Sequence, residues 1–118
     1  MNKPILSIVA GPIGNLGDIT LRALETLKQA DLVVAEDTRV TGKLLRHYGI
    51  QKPLKSIRER SHTSQIDNVV TSIVQGKYCF VAYLTDAGTP GVSDPGGQLV
   101  AAARAAGIRV EPIPGPSA

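Results

Sequence analysis

The sequence predicts an α/β fold, a three-layer arrangement in which a parallel five-stranded sheet carries helices on both faces. Short apolar runs alternate with segments whose apolar residues recur at helical spacing, and the connections between them are short. Only one Phe and three Tyr occur among the 118 residues, so we expect a core of Val, Ile, Leu and Ala, the usual filling of a parallel sheet. The length is sufficient for one domain.

The first elements follow from apolar runs and glycine-rich turns. The run at residues 5–10 predicts a buried strand, and a glycine-rich turn separates it from a helix at residues 20–29. Leucines recur every third position in this helix, and Asp18 or Thr20 can cap its first turn. The apolar run at residues 31–35 predicts the second strand, so the chain opens as strand, helix, strand.

The same alternation continues through the middle of the chain. Residues 40–48 read as a helix that Gly49 ends, because glycine is the usual C-terminal stop. Residues 54–57 predict a short third strand, and residues 63–74 carry apolar positions at the 3.6-residue period of a helix. A second strand–helix unit is therefore expected to extend the parallel sheet.

The last third of the chain contains an unusual connection. An apolar run at residues 79–84 predicts the fourth strand, and residues 98–106 and 108–113 predict a helix and the fifth strand. Between strand and helix, residues 85–97 contain four glycines and two prolines, so we expect neither a helix nor a central strand there. A loop of this length between anchored elements is usually functional or disordered.

Every polar or glycine-rich cluster is predicted to lie at one edge of the sheet. In parallel sheets, ligands bind beyond the carboxyl ends of the strands. The segments that follow the five predicted strands are residues 11–18, 36–39, 58–62, 85–97 and 114–118. This clustering predicts a ligand site at that edge.

The motifs exclude several kinds of site and leave one choice open. The glycine spacing at residues 11–17 differs from the dinucleotide fingerprint, and there is no Gly-Lys-Ser/Thr of a P-loop. No pair of His or Cys residues suggests a metal site, and the single Cys79 excludes a disulfide. Glu36 and Asp37 are candidates for a general base, or they end a strand and cap a helix.

Charge is unevenly distributed along the chain. Residues 39–60 contain seven basic residues and one acidic residue, although the net charge of the whole chain is only +3. Such a segment suggests an anionic partner, and the alternative is a solvated helix face followed by an exposed loop. No apolar run has the length that spans a bilayer, so we expect a cytoplasmic protein without membrane contact.

Four segments in order, residues 9–24, 35–39, 85–97 and 113–118, resemble the ribosomal RNA small subunit methyltransferase I family of the tetrapyrrole methylase superfamily. One departure is Gly11, where Thr or a similar residue is expected. The resemblance implies methylation of the 2'-hydroxyl of a cytidine in 16S ribosomal RNA. It also implies that residues 1–118 are the N-terminal half of a two-domain enzyme, with a C-terminal domain missing after the helix that should begin at Ser117.

The resemblance further implies the cofactor S-adenosylmethionine and a set of contact residues. The expected cofactor residues are Pro12, Asp86, Ala87, Gly88, Thr89, Val92, Ser93, Gly115, Pro116 and Ser117. The candidate base is Glu36 or Asp37. The basic segment would bind phosphates of 16S ribosomal RNA or the small ribosomal subunit, through Arg39, Lys43, Arg46, Arg58 and Arg60.

Two other functions compete with RNA methylation. A related enzyme of the same superfamily methylates a tetrapyrrole such as a corrin or porphyrin. Alternatively, the isolated chain is a non-catalytic module that binds RNA or forms a homodimer, because a missing domain would leave apolar surface uncovered.

Overall fold

The computed structural model describes residues 3–11, 16–57, 63–85 and 94–113. The strands are β1 (Ile5–Ala10), β2 (Leu32–Ala35), β3 (Leu54–Ser56), β4 (Phe80–Thr85) and β5 (Arg109–Ile113). The helices are α1 (Leu21–Gln29), α2 (Thr38–His47), α3 (Thr63–Val74) and α4 (Asp94–Ala105), with a short 3₁₀ turn at Leu16–Asp18 before α1. All strand pairs are parallel, in the order β3-β2-β4-β1-β5. The predicted α/β class is confirmed.

The two faces of the sheet carry separate aliphatic cores. Because side chains alternate along a strand, Leu6 and Ile8 of β1 pack with α3 and α4, whereas Val9 packs with α1 and α2. Leu6 and Val9 have no exposed surface. Helices therefore cover both faces, as the alternation in the sequence predicts.

Two neighbouring strands of the sheet are followed by helices on opposite faces. β1 and β4 are paired side by side, yet β1 leads to α1 on one face and β4 leads to α4 on the other. Connections that leave in opposite directions open a crevice beyond the carboxyl ends of the two strands, where α/β proteins bind ligands. The topology therefore predicts a ligand-binding crevice at the edge that the sequence indicates.

The prediction that residues 85–97 lack helix and strand is wrong at both ends. Thr85 is the last residue of β4, where it pairs with Ala10, and α4 already begins at Asp94. Proline and glycine are tolerated in a first helical turn, because its N–H groups have no carbonyl partner within the helix. The predicted start of α2 at Val40 is also late, since Asp37 caps a helix that begins at Thr38.

The cap of α1 gives a measurable stability prediction. The side chain of Thr20 accepts a hydrogen bond from the backbone N–H of Ala23 at 3.0 Å, so Thr20 caps this helix. Thr20→Ala is expected to lower the free energy of unfolding by about 1 kcal/mol, measured by urea denaturation. Thr20→Ser keeps the hydroxyl and is expected to retain most of that stability. Equal losses in both variants would contradict a capping role.

Candidate active site

The carboxyl ends of β1 and β4 approach each other closely at Gly11. The N–H of Gly11 donates to the carbonyl oxygen of Thr85 at 2.7 Å. A Cβ atom at position 11 would lie 3.2 Å from this oxygen and 3.3 Å from Cδ1 of Leu84, which is tighter than ordinary packing. A larger residue at this position, such as the expected Thr, would require β4 to shift. Glycine therefore allows the two strands to stay paired up to the crevice.

Glu36 is held at the same edge by both neighbours of β2. Its carboxylate oxygen Oε1 accepts a hydrogen bond from the hydroxyl of Tyr83 on β4 at 3.0 Å. Its backbone carbonyl accepts another from the hydroxyl of Ser56 on β3 at 3.2 Å. The hydrogen bond from Tyr83 orients the carboxylate, and the residue is only half-buried, so it still reaches the surface at this edge.

Tyr83 is a site residue that the sequence analysis does not identify, because it lies within the apolar run that predicts the fourth strand. Its ring is fully buried beneath α3 and α4, and it pairs with Val34 in the register of β2 and β4. Glu36 lies two positions beyond Val34 on the same side, within reach of the Tyr83 hydroxyl. The available signal was a Tyr at a buried strand position, since a buried phenol usually needs a hydrogen-bond partner.

Asp37 has a different role from that of its neighbour. Its carboxylate accepts a hydrogen bond from the backbone N–H of Arg39 at 2.9 Å and caps α2. The guanidinium of Arg39 also lies 3.7 Å away. The backbone N–H of Arg39, more than the nearby charge, lowers the pKa of Asp37 below its usual value. A carboxylate that is stabilised in its ionised form is a weaker base, and this favours Glu36 for proton transfer.

The solvent side of α2 is cationic. Leu44 and Leu45 are buried against the sheet, and the opposite side of the helix presents three exposed basic residues, Arg39, Lys43 and Arg46. A groove of about 290 Å³ lies along this side and is lined by Asp37, Arg39, Val40 and Lys43. The basic face therefore begins three residues after Glu36 and extends away from the crevice.

The described residues include only part of the predicted site. Glu36, Asp37 and Arg39 lie together at the carboxyl edge, and Lys43 and Arg46 continue from them along α2. The other predicted contacts fall outside the described residues: Pro12, Arg58, Arg60, Asp86, Ala87, Gly88, Thr89, Val92, Ser93, Gly115, Pro116 and Ser117. Within the described ranges, no group of three or more His, Cys, Asp or Glu side chains could hold a metal ion.

The chain is an α/β domain with a carboxylate and a basic helix at the carboxyl edge of its parallel sheet, the edge at which such sheets bind ligands. Residues 6–118 match the family described as Tetrapyrrole (Corrin/Porphyrin) Methylases, and the chain belongs to this family. In the described part of the chain, no helix has the length and apolar character needed to cross a membrane.

Similar proteins support the resemblance to the ribosomal RNA small subunit methyltransferase I family. The chain is 50% identical over 113 residues to ribosomal RNA small subunit methyltransferase I of Xylella fastidiosa, covering 96% of this chain and 41% of the relative. It is 53% identical over 111 residues to the enzyme of the same name from Haemophilus influenzae, covering 94% and 38%. The predicted resemblance is confirmed, and the chain spans about two fifths of the length of these relatives.

Solved structures share the fold. A uroporphyrin-III-C-methyltransferase from Thermus thermophilus superimposes with a TM-score of 0.71 at 26% identity, covering 96% of this chain and 47% of that one. The native form of uroporphyrin III C-methyl transferase from the same organism gives a TM-score of 0.69 at 21% identity, covering 94% and 48%. The five-stranded sheet found here is therefore the sheet of a tetrapyrrole methylase.

Proposed function

We propose that this chain is part of a methyltransferase that transfers the methyl group of S-adenosylmethionine to the 2'-hydroxyl of a cytidine in 16S ribosomal RNA. The observation that carries the proposal is the half-buried Glu36 carboxylate, held by Tyr83 at the edge from which the basic face of α2 extends. The two relatives named above, both about half identical to this chain, are ribosomal RNA methyltransferases by name. The enzyme would act in the cytoplasm on the small ribosomal subunit.

The described residues at the carboxyl edge suit a cationic methyl donor. Gly11, Glu36, Asp37 and Ile57 follow strands β1, β2 and β3, and they offer backbone groups and carboxylates. The charge of Arg39 at the same edge is paired with Asp37. When bound, S-adenosylmethionine supplies an electrophilic methyl group on a sulfonium cation, which carboxylates and carbonyl oxygens accommodate better than cations do. The predicted contacts at residues 86–89, at Val92 and Ser93, and at residues 115–117 would complete the cofactor pocket.

Glu36 is the proposed general base. The hydroxyl of the acceptor ribose must lose its proton as the new oxygen–carbon bond forms, and a carboxylate within hydrogen-bond reach can accept that proton. The hydroxyl of Tyr83 donates to Oε1 of Glu36, which leaves the other oxygen for the substrate. Methyl transfer also needs the acceptor oxygen, the methyl carbon and the sulfur in line, so the fixed position of Glu36 would contribute to orientation.

The basic face of α2 would bind the RNA backbone. Arg39, Lys43 and Arg46 offer three exposed cations in a row beside the proposed base. Contacts of this kind give affinity and register without base specificity, because every nucleotide carries the same phosphate. Arg58 and Arg60 would extend this surface from the connection after β3.

Tetrapyrrole methylation is the second candidate. It is favoured by the shared fold with the uroporphyrin-III-C-methyltransferase of Thermus thermophilus. The identity of 26% to that enzyme is about half the identity to the ribosomal RNA methyltransferases, and this difference favours RNA as the substrate. A homodimer and a separate C-terminal domain both stay predictions.

Binding and transfer experiments on the full-length protein separate these functions. We expect calorimetry to detect binding of S-adenosylmethionine, and we expect radiolabelled methyl groups to appear in 16S ribosomal RNA but not in uroporphyrinogen. Transfer to the tetrapyrrole alone would establish the second candidate. A folded full-length protein without affinity for S-adenosylmethionine would contradict both methyltransferase functions and support a non-catalytic RNA-binding module.

A further inference from the structure

Gly42 lies in the interior of α2, where the fold itself gives no reason for a glycine. Glycine is the least favourable helix residue apart from proline. The described glycines that need a positive φ are Gly49, Gly76 and Gly107, so Gly42 is not required by its backbone conformation. Among the described residues, a Cβ atom at position 42 would meet only the side chain of Arg46, with Nη1 at 3.3 Å. No packed strand or helix in the described part of the chain therefore requires a glycine at position 42.

The guanidinium of Arg46 lies in the space that a side chain at position 42 would fill. Helical side chains lean toward the N-terminus, so Arg46 reaches back one turn and lies over Gly42. Residues three and four apart are neighbours on a helix surface, and the guanidinium therefore comes close to the level of Lys43 and Arg39. A Cβ atom at position 42 would require this guanidinium to move by a few tenths of an ångström, because a contact of 3.3 Å is tighter than ordinary packing.

Two of these cations lack a counter-ion in the described structure. Within the described residues, the ion pairs are Arg22 with Glu111 and Arg39 with Asp37, and neither Lys43 nor Arg46 pairs with a carboxylate. Cations on one face of a helix repel each other, and an anion bound between them would offset this repulsion. Their arrangement fits a bound anionic group on the outer face of α2.

We propose that Gly42 and Arg46 form a phosphodiester contact for the RNA substrate. Gly42 leaves room for the guanidinium of Arg46 to lie over the helix, and from there Arg46 would bind the phosphate oxygens together with Lys43. Guanidinium and phosphate groups match in geometry and form paired hydrogen bonds. The inference rests on the proposed RNA function, and it adds the uncharged Gly42 to the residues that bind RNA.

The test uses Gly42→Ala in the full-length protein, with binding of a short ribooligonucleotide from 16S ribosomal RNA measured by fluorescence anisotropy over a range of salt concentrations. The melting temperature is expected to rise, because alanine is a better helix former. RNA affinity is expected to fall, and the slope of log K against log salt is expected to decrease by up to about one unit, the contribution of one phosphate contact. Opposite changes in stability and binding are the signature of this role.

Thr71→Ala on α3 is the matched control, since it also introduces a better helix former, at an exposed position on the opposite face of the sheet. Its RNA affinity is expected to equal that of the unmodified protein. In an Arg46→Ala background, Gly42→Ala is expected to change RNA affinity no further.

The outcomes distinguish this inference from the function on which it rests. Unchanged RNA affinity of Gly42→Ala beside normal binding by the unmodified protein would overturn the inference alone. A lower melting temperature would reveal a packing role for Gly42 and would also overturn it. Absence of salt-dependent RNA binding by the unmodified protein would overturn the RNA function itself.

Discussion

Glu36→Gln is expected to lower the rate of methyl transfer by about 10²- to 10⁴-fold, the usual contribution of a general base. Glutamine has nearly the same volume, and its amide oxygen can still accept the hydrogen bond from the hydroxyl of Tyr83. The amide cannot accept a proton from the ribose hydroxyl, so the loss would belong to the chemical step. Single-turnover rates of the full-length protein with saturating RNA and S-adenosylmethionine measure that step directly.

Three further variants show whether this loss is specific to Glu36. Glu25→Gln removes an exposed carboxylate from α1 and is expected to leave the rate unchanged. Tyr83→Phe keeps the buried ring and removes the hydroxyl, so we expect a smaller loss of rate with unchanged RNA affinity. Asp37→Asn keeps a side-chain oxygen that can still accept the capping hydrogen bond from the backbone N–H of Arg39. A large loss in Asp37→Asn together with a normal rate in Glu36→Gln would assign the base to Asp37 instead.

The contact between Tyr83 and Glu36 shows why the site could be predicted only in part. The sequence places Glu36 at the end of a strand, and this is where it lies. It does not show that β4 lies beside β2, because the two strands are separated by another strand–helix unit. Only the register that pairs Val34 with Tyr83 brings the phenol within 3.0 Å of the carboxylate. Strand order, rather than local pattern, determines this part of the site.

The elements themselves were predicted where apolar periodicity is strong. β1 and α3 have the bounds expected from the sequence, because a continuous apolar run and a clear 3.6-residue period define them. The start of α4 at Asp94 was missed, since Pro95 and two glycines suggest a loop even though a first helical turn tolerates them. Composition describes helix interiors better than helix ends.

The last and most direct test of the RNA surface is the triple variant in which Arg39, Lys43 and Arg46 are replaced by Ala. Each cation that binds a phosphate releases about one counterion from the RNA, so the slope of log K against log salt is expected to decrease by about two to three units. The exposed side chains lie on the solvent side of α2, away from its buried residues Leu44 and Leu45, and the fold should be retained.

A control of equal charge separates phosphate contacts from the general field of the protein. It replaces three exposed cations near the opposite edge of the sheet, Lys28, Arg104 and Arg109. Both triple variants lower the net charge equally, but only the α2 variant should show the large change in slope. Equal changes in the two slopes would mean that net charge alone attracts the RNA.

The kinetics of the α2 variant should also separate binding from chemistry. Phosphate contacts on α2 would act equally in the ground state and the transition state, so KM for RNA should rise while kcat stays nearly constant. Glu36→Gln should give the reverse pattern, with a lower kcat, because its carboxylate is needed only as the proton leaves. If the α2 variant lost kcat instead, the basic face would be orienting the ribose as well as holding the backbone.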